Sequence, residues 1–158
     1  MTRGLIAARL ASFAVETAPD ALPPRVRRRA ARHLLDTLGC GLAAVGTGAG
    51  DYATELAVTH GGRGIASLIG SPVRVPAAPA ALANGTRCHA LDFDDTHEAG
   101  ICHASAVVAP AALAVGEARG HFDSDILDAY VVGTEVALRI AVAMADGLYA
   151  RGFHPTPI

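Results

Sequence analysis

The sequence predicts an all-α fold, on three observations. Hydrophobic residues make up 51% of the chain but aromatics only 4%, with Ala and Gly dominating the apolar set. Small side chains at that density suit closely packed helices better than sheets of β-branched residues. Apolar residues recur at i, i+3 and i+4 through the longer segments, and β-branched alternation is scarce. At 158 residues, without an internal repeat or a linker, residues 1–158 read as one helical unit large enough to bury a core.

The elements follow in order. Leu5, Ile6, Leu10, Phe13 and Ala14 keep helical spacing, so a first helix ends before Pro19. Pro23 and Pro24 open a second, since proline is tolerated in a first turn. Its stripe is Val26, Ala30, His33, Leu34, Thr37, Leu38, Gly41 and Val45. Gly46-Thr47-Gly48-Ala49-Gly50 follows a helix and lacks the Gly-Lys-Ser/Thr ending of a phosphate loop, so it reads as a flexible helix exit. Asp51 to His60 makes a short helix closed by Gly61-Gly62, and Ile65–Ile69 is the one candidate strand. Pro76 to Leu91 reads as an alanine-rich helix and Ala104 to Gly120 as the next, leaving His103 at or just before its first turn. Asp123 or Ser124 caps a last long helix bearing Ile126, Leu127, Tyr130, Val131 and Leu138. His154 to Ile158 forms an extended tail.

Composition excludes several function classes. A net charge of −2 argues against nucleic acid or an anionic membrane as the main partner. Arg25, Arg27, Arg28, Arg29 and Arg32 crowd one helix start, where a solvated face is the better reading. All 13 basic residues are arginine, which removes any lysine Schiff-base chemistry. Cys40, Cys88 and Cys102 form no CxxC pair, no zinc spacing and no cluster framework; unpaired thiols fit a reducing cytoplasm. Cys40 reads as a small buried apolar residue. Arg9 interrupts any signal-peptide run. The uncharged stretch Ala99 to Gly116 reads as a buried helix, because His103, Ser105 and Pro110 suit lipid poorly.

Between two apolar segments lies Leu91-Asp92-Phe93-Asp94-Asp95-Thr96-His97, continuing to Cys102-His103-Ala104-Ser105. So dense a polar cluster is costly to bury unless its members pair with one another or with a ligand. Converging acids, bases and hydroxyls are the makings of a small-molecule site. The plain alternative is a helix-terminal turn followed by an N-cap. A helix beginning after His103 also offers free N–H groups to an anion.

The order of the residues resembles the MmgE/PrpD family, which includes 2-methylcitrate dehydratases, cis-aconitate decarboxylases and iminodisuccinate epimerases. The resemblance runs through Leu35-Asp36-Thr37-Leu38-Gly39-Cys40, Ala83-Asn84-Gly85, His89 to Thr96 and His103-Ala104-Ser105. It continues in Pro110 to Ala114, Gly133-Thr134-Glu135-Val136 and Arg151 to Thr156. It implies the N-terminal part of a helical domain, stopping before an α/β lid, in a lyase or isomerase that acts on a small polycarboxylate. It further implies a homodimer and no cofactor or metal. Its catalytic residues map to Asp92, Thr96, His103 and His154. Histidine titrates near neutrality and can move a proton at a carbon beside a carboxylate. Asp92 would orient an imidazole or act as a base, and Thr96 would bind a substrate carboxylate.

Asp94, Asp95 and His97 are expected as caps and hydrogen-bond partners of the turn. His33, His60, His89 and His121 are expected to be structural or exposed. A metal held by Asp94, Asp95, His97 and His103 is outweighed, since HxH and HExxH spacings are missing. The family's two later lysines have no counterpart here; Arg87 and Arg151 are the nearest substitutes. The expected chain is therefore a fragment, a split subunit or a decayed copy, incomplete alone. The alternative is a catalytically silent helical domain for dimerisation or interaction.

Overall fold

The computed structural model describes residues 5–18 and 21–156. Among these, α1 is Ile6–Glu16, α2 Pro24–Ala43, α3 Asp51–His60, α4 Ala77–His89, α5 Ala104–Arg119 and α6 Ser124–Tyr149. Two short strands, β1 Ala66–Ser67 and β2 Arg74–Val75, pair antiparallel between α3 and α4. The all-α expectation therefore holds, and the Ile65–Ile69 candidate shrinks to a two-residue strand.

Local chemistry sets the boundaries. Pro24 occupies the first turn of α2, where its missing N–H costs nothing. Gly50 takes φ 80° as the N-cap of α3 and packs against Arg87; a Cβ there would sit 2.7 Å from Arg87 Cγ. The left-handed Gly120 stops α5 by the common glycine exit. Asp123 precedes α6 as expected but makes no side-chain cap bond.

The α4, α5 and α6 helices pack side by side, with α2 laid across all three. Small residues bring them close. One part of the core is Ala57, Ala66, Leu68, Val75, Ala80, Ala83 and Ala114. The other centres on Ala30, Ala109 and Tyr130, with Leu34, Val108, Leu127 and Val131 packed round them. Gly41 shows the tolerance: a Cβ there would meet Ile69 Cδ1 at 2.8 Å and Cys88 Sγ at 3.0 Å. Cys40 is buried, as its helical position suggests.

Three expectations change. The apolar stripe of the first helix does not enter the core: no residue of α1 is buried, and Ile6 is 75% exposed. Its contact is with α6, where the Arg139 guanidinium stands 5.9 Å from the Phe13 ring centroid. Its last residue is Glu16, while Pro19 lies outside the described residues. Arg27, read as part of a solvated basic face, pairs with the buried Asp128 of α6, although Arg25, Arg28, Arg29 and Arg32 are exposed. Arg87, read as a substitute cation for substrate, is buried, and its guanidinium is taken up by Ile69 O and Asp51. Among the described residues no helix is long and apolar enough to cross a membrane.

Candidate active site

The polar motif forms the connection between α4 and α5, two helices packed along their lengths. The last turn of α4 delivers His89. The chain then turns through Asp92, which has a left-handed φ of 52° and donates its N–H to His89 O. Aspartate tolerates that conformation better than most residues. The turn leaves the Asp92 side chain 81% exposed and carries Asp94 inward, where its carboxylate is fully buried.

Asp94 is the centre of the site. His89 Nδ1 lies 3.0 Å from its Oδ1 and 3.1 Å from its Oδ2. His103, the N-cap residue of α5, places Nδ1 3.4 Å from Asp94 Oδ2. The other edge of that ring turns towards Asp92, with Nε2 3.6 Å from Oδ1. Two imidazoles thus share one buried carboxylate, and one of them also faces an exposed carboxylate. The ring centroids of His89 and His103 are 4.6 Å apart.

The end of the chain closes on this pair. His154 stacks on His89 with centroids 5.9 Å apart and planes 12° apart, and it stands edge-on to His103 at 6.0 Å. Thr156, buried two residues on, accepts the His103 backbone N–H at 3.0 Å. A cavity of about 250 Å³ adjoins His103, walled by Val107, Ile140, Met144 and Leu148 with Cys102 and Thr156. An imidazole between buried carboxylate and apolar wall is suited to taking up and releasing a proton.

Of the residues expected at the site, Asp92, His103 and His154 come together. Thr96 is exposed and lines a different cavity, about 570 Å³ between α2 and α6, with Arg25, His33, Asp95 and Tyr130. Asp95 and His97 hold the loop, as expected. The Asp95 carboxylate accepts the Ser105 N–H and hydroxyl and stands 3.3 Å from His33 Nδ1. Ser105 Oγ is also hydrogen-bonded to Tyr130 OH, which fixes the start of α5 against α6. His97 Nδ1 accepts the Gly100 N–H across the short 3-10 turn Glu98–Gly100.

His89 and Asp94 were expected to be structural, and the fold puts both in the cluster. The available signal was spacing: His89, Asp92 and Asp94 span a helix end and one turn, so a change of chain direction can converge them. Of the metal set weighed from sequence, only Asp94 and His103 lie together; Asp95 and His97 face other partners.

The family model described as the MmgE/PrpD N-terminal domain matches residues 8–158. A cis-aconitate decarboxylase-like protein of Aspergillus oryzae is 34% identical, over 98% of this chain and 34% of its own length. The cis-aconitate decarboxylases of Homo sapiens and Mus musculus are 33% and 35% identical, over 87% and 83% of this chain and 30% and 28% of theirs. The chain thus spans about a third of the length of the relatives it matches.

Proposed function

Because the chain belongs to the MmgE/PrpD family, we propose that its imidazole–carboxylate cluster is one part of a cofactor-independent lyase site for a small polycarboxylate. The observation carrying this reading is the buried Asp94, hydrogen-bonded to His89 and 3.4 Å from His103 Nδ1, with a third imidazole beside the pair. The names of the relatives favour decarboxylation of an unsaturated tricarboxylate over dehydration or epimerisation. In such a reaction a carbon–carbon bond breaks to release carbon dioxide. The electron pair left behind shifts along the adjacent double bond, and a carbon atom takes up a proton. His103 is the proposed proton donor, because its Nε2 edge faces exposed Asp92. Asp94 orients the ring and offsets its charge, Asp92 positions substrate or proton, and His154 supplies a second imidazole. Thr96 is proposed to bind a substrate carboxylate only if the loop turns it from the α2–α6 cavity.

A polycarboxylate needs cations to hold it, and positioning is worth several kcal/mol of a barrier. The chain has no lysine and Arg87 is taken up by Ile69 and Asp51. That observation favours two things: dependence on cations from a further polypeptide segment, and, as a second reading, a silent helical interaction domain.

One experiment separates them. Carbon dioxide release from cis-aconitate is followed for this chain alone, and with the C-terminal two-thirds of a relative added in trans. We expect little turnover alone, turnover in the mixture, and its collapse with His103→Ala. Turnover by the chain alone near 1 per second, ordinary for an enzyme, would overturn the claim of dependence. No turnover in any mixture, with association intact, would favour the silent domain.

A further inference from the structure

The side chains that meet at the motif are also a set of metal donors. One ligand atom from each of His89, Asp92, Asp94 and His103 lies within 4.8 Å of every other. We propose that this cluster binds one divalent transition-metal ion, with Zn²⁺ the best-suited member of the class.

Three observations carry the assignment. First, the donor set is two imidazoles and two carboxylates, which together offset a charge of +2. Imidazole nitrogens suit Zn²⁺ and its first-row neighbours, whereas Ca²⁺ and Mg²⁺ ask for oxygen shells. Second, the spacing is right. Two ligands 2.0–2.1 Å from a tetrahedral ion stand about 3.3 Å apart. Asp94 Oδ2 is 3.4 Å from His103 Nδ1 and 3.1 Å from His89 Nδ1. Third, one donor is unmet. His103 is only 9% exposed, and its Nδ1 is buried without a hydrogen-bond partner. Asp94 Oδ2 lies 3.4 Å away without completing a hydrogen bond, so this nitrogen is open to a cation held beside the carboxylate. Leaving such an atom unpaired costs about 1–3 kcal/mol, and an ion there would complete it. Asp92, exposed and on a turn, is the ligand that can swing to close the shell and the way by which an ion enters.

Binding rests on this geometry alone; only its consequence rests on the proposed lyase chemistry. A metal on Nδ1 takes the place of the second proton of the imidazolium, so Nε2 could give up its own proton only by leaving an imidazolate, and the ion acts as an inhibitor of proton transfer there. The proposed chemistry and the metal thus compete for the same ring, one at Nε2 and the other at Nδ1.

The test uses the untagged, metal-stripped chain titrated with Co²⁺ alone, followed by the visible absorption that four-coordinate Co²⁺ shows and that Zn²⁺ then abolishes. We expect one ion per chain, saturating at micromolar concentration. His89→Ala and Asp92→Asn should each weaken binding at least about tenfold. His121→Ala should not, because His121 pairs with Asp125 on the surface away from the motif. Asp92 is exposed, so its substitution tests the site without endangering the fold, which circular dichroism verifies for every variant. Absorption missing at millimolar Co²⁺, or binding that survives both site substitutions or falls equally with His121→Ala, overturns the proposal. Failure of the lyase assay would leave this titration untouched.

Discussion

Cys88 packs with no solvent exposure beside the candidate site, and burial is the main reason its thiol is pushed up to about 12; the Asp94 charge and then Cys40 add to it. The ordinary thiol value is 9.0, so the folded chain holds this proton more tightly than the unfolded chain does. The stabilisation is complete below pH 9 and is lost as pH rises from there to about 12, at about 1.4 kcal/mol per unit. Unfolding free energy measured by denaturant should fall across that window, and Cys88→Ala should flatten the fall. A folded-state alkylation rate at pH 8 equal to that of a free thiol would contradict this account. Residue types and the family resemblance were enough to bring forward Asp92, His103 and His154. For His89 and Asp94 the spacing shows only that a turn can converge them; nothing local says that the last turn of α4 faces the first turn of α5. That proximity comes from packing along the two helices.

Element boundaries were legible where a single residue enforces them. Pro24, Gly62 and Gly120 stand where their backbone chemistry predicts, at a first turn and, with left-handed φ, at two exits. The β1–β2 hairpin was not legible, since two residues per strand display no period. Side chains from the helices hold it instead. Asn84 Oδ1 accepts the Ile69 N–H and its amide donates to Ser67 O, both at 2.8 Å. Glu117 accepts from the Ser67 backbone and hydroxyl, and Arg87 donates to Ile69 O. Asn84 is buried, so Asn84→Ala leaves two backbone groups unmet and should cost about 1–3 kcal/mol, read from the denaturation midpoint. A change within about 0.5 kcal/mol would mean that water replaces both bonds. The stripe on α1 misled for the opposite reason: its period is genuine, but the described residues offer it little besides α6 to pack on.

At the scale of the molecule, large apolar side chains remain on the surface: Leu35 is 72% exposed, Tyr52 87%, Phe93 82% and Phe122 66%. Scattered apolar groups are ordinary on a monomer, but such a number on so small a core favours association. The chain should therefore run larger than a monomer at micromolar concentration by light scattering, or bind a dye that reports apolar patches. A monodisperse monomer that leaves the dye dark would refute this. A different consequence follows from the bond between His103 N–H and Thr156, residues 53 positions apart. It turns α5, α6 and the tail into a closed ring of chain. Closing a ring that long is an entropic barrier that helix formation alone does not lower. His89, Asp94 and His103 lie within one short stretch of chain, so it is His154, carried by the tail, whose place beside them waits for that closure.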